Sequence, residues 1–450
     1  MSDKISRRDL IRILSASGLA VGAGFLKPLE VAFADEGGKS GELIARHQHG
    51  DHPAATLADG KVVQPQRELP VLHTTDVLVV GGGPAGVSAA VAAKRTGVEV
   101  TLVERYGYFG GQWTGGLVLV VMAMNGKARN RVTCGIGEEL LQRLDKMDQA
   151  VTGHQPGTLP TVDAEALKYV MAEMIREAGV KVFLDCWGVD AVMEGDTVRG
   201  AVFESKSGRQ AILAKMVVDA TGDGDVFAAA GAEYEHLKYH IGLVCRIGGL
   251  DKVDVGKLPK EAKRRLGSPT PVPGVRWVNM GGPPADALNV ADLTRLEMDH
   301  RRQIWRNLEE IRKIPGGEKA YLLETAPQLG VRISRVLAGT KRLMYEDAKA
   351  DKALPDVIGF GGMCYDLKNE WQIPYGALVP VKVENILAAG RCISAERKVL
   401  DPMRLIAPCF VTGHAAGAAA ALAVKDGCRP RDVEVPKLQK LLKAQGAYLG

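Results

Sequence analysis

Three glycines, Gly81, Gly83 and Gly86, stand at the spacing G-x-G-x-x-G within the run VVGGGPAG. The first glycine of such a set permits a tight turn and the second lets a pyrophosphate approach the backbone. The third allows a helix to pack closely on a strand. Pro84 and Ala85 open the helix that follows, so phosphate oxygens would meet free N–H groups at its N-terminus. Glu104 closes the next apolar run, at the distance of about 20 residues where a carboxylate accepts both ribose hydroxyls. The chemistry predicted is dinucleotide binding, and the motif alone does not choose between NAD and FAD.

The elements that must position these residues are legible in the hydrophobic pattern. DVLVV is a short apolar, β-branched run of the kind found in a buried parallel strand. After the glycines come the helical stretch VSAAVAAKRTG and a second strand, VEVTLVE, giving a β-turn-α-β unit. Helices are predicted near 137–146 and 163–178. KVFLDCWGVDAVME, VRGAVFE and QAILAKMVVDA then read as a β-meander. Farther on, the pattern predicts a charged helix over 290–312 with a solvated face, a helix around 332–345, a strand in NILAAGR and a helix over 412–424. The fold class expected is α/β. A Rossmann-like domain with a parallel sheet and a meander is assembled from residues 74–234 and 386–430, and residues 235–385 form an α+β substrate domain. Residues 431–450 are expected as a C-terminal helix and tail.

Beyond the first glycines, RYGYFGGQWTGG carries a second pair, Gly110-Gly111, and VVDATGDGD and ILAAGR follow downstream. In order, these match the distributed FAD signature of glutathione-reductase-like two-domain flavoproteins. The chain resembles more closely the FAD-dependent oxidoreductases related to fumarate reductase flavoproteins. The likeness runs over about residues 65–430 through YFGGQWTGG, LGVRISR, QIPYGALVPVKVENILAAGRCISA and TGHAAGAAAALA. It implies FAD, with Gly81, Gly83 and Gly86 at the pyrophosphate, Glu104 at the adenosine ribose and Arg105 at the adenine edge. Gly110, Gly111 and Gln112 would line the pyrophosphate and ribityl chain, the backbone of Val189 would meet the adenine, and Gly222 and Asp223 would close over the dinucleotide. Gly390-Arg391 stands where related flavoproteins commonly carry Gly-Asp. Some fumarate reductase relatives attach their flavin to a histidine after the second glycine pair; this chain has Gln112-Trp113-Thr114 there, which implies non-covalent FAD.

Other residues are candidates for the chemistry itself. Thr412, Gly413 and His414 should form the start of the last helix, where the partial positive charge of a helix N-terminus favours a reduced, anionic flavin, and His414 would either add a donor there or be a satisfied helix-start histidine. Tyr239 and His240 follow the FAD-closing motif and are placed either over the flavin, as a base, or as packing residues between lobes. Arg332, Arg335 and Arg404 would either bind a carboxylate bidentately or brace the lobes, with Arg332 and Arg335 expected on a helix.

The remaining features set the compartment and exclude several classes. ISRRDLIRILSASGLAVGAGFL joins Arg7-Arg8 to an apolar run that ends at Ala32-Phe33-Ala34. It reads as a cleavable signal over residues 1–34, of twin-arginine type, so the export machinery is an expected partner and the periplasm the expected site. Residues 35–73 read as an exposed arm, in which His47, His49, Asp51 and His52 are a solvated linker rather than a metal site. Of the net charge of +5, the signal supplies +2, and the remainder is too small for a nucleic-acid binder. Seven scattered cysteines without a CxxC pair argue against a disulfide framework, zinc or dithiol chemistry. No membrane span is expected. The sequence thus predicts a periplasmic oxidoreductase exchanging a hydride between a small organic substrate and FAD, passing electrons to oxygen, a quinone or a separate periplasmic carrier, with a homo-oligomer left open. A flavin-dependent lyase or isomerase, or an FAD-binding electron-transfer or structural component of a complex, is the alternative.

Overall fold

The computed structural model describes residues 54–350 and 353–450. The signal and the histidines of the arm lie outside them. Residues 55–450 form one compact unit. The first element among the described residues is a small antiparallel hairpin, Thr56–Ala58 with Lys61–Val63, inside the segment expected as an arm.

Strand β1 spans Val71–Val80 and starts earlier than DVLVV suggests, because its exposed first half still pairs along a long neighbour. It leads through the glycine turn into helix α1, Pro84–Arg95, and then into β2, Val100–Val103. The helices predicted next are found at Ile136–Asp145 and Ala164–Ala178, the second capped by Asp163 accepting two backbone N–H groups. Lys181–Phe183 pairs parallel to β2. The meander follows as Trp187–Glu194, Thr197–Ser205 and β3, Gly208–Asp219. β3 pairs antiparallel with Thr197–Ser205 on one side and parallel with β1 on the other, with Val217 opposite Leu78. The short strand Ile386–Ala388 joins the same sheet from 167 residues downstream, pairing Val217 with Ile386. Seven strands result, with β1, β3 and Ile386–Ala388 parallel, so that their carboxyl ends point the same way.

A second, six-stranded antiparallel sheet is built around β4, Tyr239–Gly248. β4 pairs with β5, Arg276–Met280, with Val244 opposite Asn279 and Arg246 opposite Trp277. Helix α2, Val290–Ile311, follows as predicted. It presents charge outward and buries Leu296, Ile304, Leu308 and Ile311, so it is amphipathic rather than solvated throughout.

Two helix expectations are corrected. No helix covers 332–345; Arg335–Leu337 is a strand pairing with Tyr234–His236, and helix resumes only at Tyr345–Lys349. The helical pattern yields here to pairing with a strand a hundred residues away. The last core helix, α3, spans Ile406–Asp426 rather than 412–424. It is the one helix among the described residues long and apolar enough to cross a membrane, and it is buried within the protein. α3 lies directly on α1. A β-carbon at Gly413 would stand 2.1 Å from the Ala85 carbonyl oxygen, and one at Gly417 would stand 2.0 Å from that of Ala89. The residues after Val435 form a last helix to Ala444. Gln445 then donates to the Ala92 carbonyl and to Thr96 Oγ1.

Candidate active site

The carboxyl ends of β1, β3 and Ile386–Ala388 meet at a cavity of about 310 Å³, the place where open α/β sheets bind their ligands. Gly81 makes the turn out of β1 with φ +102°, and a side chain there would strike the Ala220 carbonyl 2.5 Å away. At Gly86 a β-carbon would lie 1.7 Å from the Gly81 oxygen, so α1 can approach β1 only without one. Gly83 differs. Its φ is −70°, and the nearest atom to an added β-carbon is Gly111 Cα at 4.0 Å. Gly83 faces open space. No side chain caps α1, which leaves the N–H groups of its first turn free for an anion.

Glu104 joins the loop to the strand beside it. Its carboxylate accepts from the Gly82 N–H at 2.5 Å and the Tyr106 N–H at 2.9 Å, and it lines the cavity. Burial raises its pKa against those bonds. Gly110 donates its N–H to the Gly82 oxygen at 2.8 Å, which seats the second glycine pair against the first. Arg105 sits over the rings of Tyr106 and Trp187, 4.8 and 5.6 Å from their centroids. With Cys186, Trp187 and Gly188 it lines a small adjoining recess. Val189 lines neither recess nor cavity. It falls at an irregularity in the ladder, where Gly188 opposes Phe203 and Asp190 opposes Val202, and this bulge turns it outward.

Gly222 and Arg391 line the cavity, and Asp223 stands behind them. Asp223 pairs with Arg391 at 2.9 Å and accepts from Ser334 Oγ at 2.5 Å. Burial would raise the Asp223 carboxyl, but the Arg391 charge and the two bonds outweigh it and hold the pKa below its ordinary value. The Asp223 contribution to stability is therefore present at neutral pH and lost as pH falls through its folded pKa. Arg391→Met, which strips the counter-charge, should cost about 3–5 kcal/mol and flatten that acid-side loss. Unfolding measured from neutral into the acid range tests both.

The opposite wall comes from the second sheet and its neighbours. Gly242 and Val244 on β4, with Trp277 and Asn279 on β5, face the cavity, as do Arg332, Tyr365, Arg404 and Leu405. Arg332 is not on a helix; it follows the short strand Gly330–Val331 and donates to the His240 carbonyl at 2.9 Å. Arg404 donates through Nε and one terminal nitrogen to Asp401, whose other oxygen accepts from the Tyr239 hydroxyl at 2.9 Å. Tyr239 thus reaches the site through Asp401. Arg335 pairs with Asp225 at 2.8 Å and braces the fold.

Two candidates lie away from this constellation. His240 is exposed, its Nδ1 bonded to the Gly282 carbonyl at 2.9 Å, and it does not line the cavity. His414 lies more than two turns inside α3, whose N-terminus at Ile406 is the part that reaches the cavity. Its Nε2 bonds Gln445 Oε1 at 2.7 Å, and burial pushes its pKa down to about 4. It fastens the C-terminal segment and stays neutral. Gly413, beside it, serves the contact between helices. Asp401, Tyr365, Trp277, Asn279 and Gln328 were not singled out from the sequence. Only the Asp401–Arg404 spacing of three, within one helical turn, offered a signal.

The residues present fit a dinucleotide. Gly83 leaves room where a β-carbon would stand, two helix starts (α1 and α3) lack side-chain caps, and partly buried Arg391 has a buried Nε without a partner among the described residues. Fold and site together define a dinucleotide-dependent α/β enzyme. The chain belongs to the FAD dependent oxidoreductase family, whose model matches residues 76–242 and 251–442. Among curated proteins it is similar to the thiamine thiazole synthase of Methanococcus vannielii, at 29% identity over 34% of this chain and 57% of that protein. That of Sulfolobus acidocaldarius is 30% identical over 36% of this chain and 61% of that protein. The chain thus spans less than two thirds of the length of these relatives. Among solved structures it is similar to a geranylgeranyl bacteriochlorophyll reductase-like protein from Thermoplasma acidophilum, at 17% identity over 83% and 84% of the two chains with a TM-score of 0.48. A p-nitrophenol 4-monooxygenase from Pseudomonas putida is 14% identical over 83% and 89%, with a TM-score of 0.47.

Proposed function

We propose that this protein is an exported oxidoreductase that acts on a small organic substrate with non-covalent FAD. The observation that carries the reading is one cavity with two unlike walls. Gly81, Gly83 and Glu104 form the dinucleotide side, and Val244, Trp277, Arg332 and Arg404 form a side with no dinucleotide motif. The motif likeness to fumarate reductase flavoproteins supports it. FAD supplies a two-electron redox centre. The glycine loop and the start of α1 would hold its pyrophosphate, Glu104 its adenosine ribose, and Arg391 the linkage between the two ends. The protein's own groups then orient substrate and exclude water. Asp401 fixes Arg404 and is itself steadied by Tyr239. Tyr365 lines the cavity, and its phenol, protonated at neutral pH like any tyrosine, can donate to an oxygen there.

A single dinucleotide motif is used for FAD, so electrons would pass to oxygen, a quinone or a separate carrier rather than to a tightly held nicotinamide. Anaerobic mixing of the purified yellow protein with small acids, alcohols and sugars is expected to bleach it with one donor class. Substrate turnover without bleaching would replace this reading with a lyase or isomerase. Arg7 and Arg8 support export by the twin-arginine route, which accepts folded cargo and so suits a cofactor loaded inside the cell. Changing both to Lys should leave yellow protein in the cytoplasm when fractions are compared; unchanged arrival in the periplasm would reject the route.

A further inference from the structure

The wall opposite the dinucleotide motif carries an unusual charge balance. Arg332 has no carboxylate partner among the described residues, where it donates to the His240 carbonyl. Arg404 has one partner, Asp401, and binds a single oxygen of it. The three charges sum to one unbalanced positive charge at a half-buried place. The rest of that wall carries none. Val118, Val120 and Met122 alternate along one extended segment and all line the cavity, and Val244 and Trp277 come from the paired strands β4 and β5. These apolar side chains and the Trp277 indole line the same cavity as the two arginines. Asn279 and Gln328 are the uncharged polar groups beside it.

We propose that the substrate is a monocarboxylate with an apolar body, its carboxylate held between Arg332 and Arg404 and its body lying along Val118, Val120, Met122 and Trp277. This rests on the reading of the site as that of an FAD enzyme acting on a small organic molecule. Two guanidiniums converging on one anion give charge-assisted, fork-like bonds that an uncharged analogue cannot reproduce. A second carboxylate would meet the apolar face unpaired, which disfavours short dicarboxylates. Asp401 acts as a positioning residue, since it reaches the ligand only through Arg404.

The test uses the purified full-length holoprotein and the change in its flavin absorbance at neutral pH. Benzoate and trans-cinnamate are titrated against benzamide and cinnamamide, with succinate and inorganic phosphate alongside. At least one acid should bind about 30-fold more tightly than its amide, the range expected for a charge-assisted pair, and more tightly than succinate or phosphate. Arg332→Gln should abolish that ratio while leaving amide binding and FAD content unchanged, and Arg332→Lys should keep part of it. Acids and amides binding alike, neither acid perturbing the flavin at millimolar concentration, or phosphate or succinate binding best would overturn the proposal. If Arg332→Gln does not yield holoprotein, the wild-type ratios and the Lys variant decide it. A protein that bleaches with a donor but shows no acid preference loses this inference alone. One that bleaches with none loses the oxidoreductase reading while the titration stays readable.

Discussion

Gly83→Val should give a folded but colourless protein. Gly83 has the backbone angles of an ordinary residue, and an added β-carbon meets nothing closer than Gly111 Cα at 4.0 Å. The fold therefore has room for the side chain. The two methyl groups would then occupy the space between the two glycine pairs, over the uncapped start of α1. A pyrophosphate could not reach those N–H groups, and FAD affinity should fall about 100-fold or more, equivalent to about 2.8 kcal/mol. The readout is flavin content after gel filtration, with far-UV circular dichroism and melting temperature close to wild type. A yellow Gly83→Val protein would mean that the loop does not hold the phosphates.

Gly413→Val should also be colourless, for the opposite reason. Here the β-carbon would stand 2.1 Å from the Ala85 carbonyl oxygen, which is backbone within α1 and cannot rotate away. Gly417 makes the same approach to Ala89 one turn later, so the helices cannot tilt apart without losing that contact as well. Overpacking of a core typically costs about 1–3 kcal/mol, and two backbones held this close put the change at the upper end or beyond. Chemical unfolding should show at least that loss, and Gly413→Ala should lose part of it. Unchanged stability in Gly413→Val would show that α1 and α3 do not touch there. The two variants separate binding from folding within one motif region.

Much of the dinucleotide side was legible because its constraints are local. Gly81, Gly83, Gly86 and Glu104 lie within one β-turn-α-β unit, where spacing and apolar runs place them directly. The meander was legible for the same reason, each strand being followed at once by its partner. What the pattern missed depends on contacts between distant segments. The stretch after Arg332 has helical residues but is drawn into a strand by Tyr234–His236. At Val189 a bulge with no sequence mark turns the side chain outward, which bears on its side chain and not on the backbone contact expected there. The start of α3 was misplaced because Gly413 looked like a helix opening, when it is a notch for Ala85. Pro408 carried the better signal, since proline is tolerated in a first turn whose N–H groups have no partners. His414 was thereby displaced from the flavin to the C-terminal segment. The wall opposite the glycine loop offered least, because Trp277 on a strand, Tyr365 in a turn and Asp401 on a short helix come from segments far apart in the sequence.

The seam between α1 and α3 also has a consequence in time. The cavity takes Gly81 and Glu104 from early in the chain and Arg391, Arg404 and Ile406 from late in it, and the central sheet admits Ile386–Ala388 beside β3. The first 380 residues supply the glycine loop and most of the wall opposite it, but not the Arg391, Arg404 and Ile406 side of the cavity. Gln445 fastens the two helices through His414, Ala92 and Thr96. Completion of the cavity therefore waits for Arg391, Arg404 and Ile406, so the glycine loop emerges long before the site it belongs to is whole.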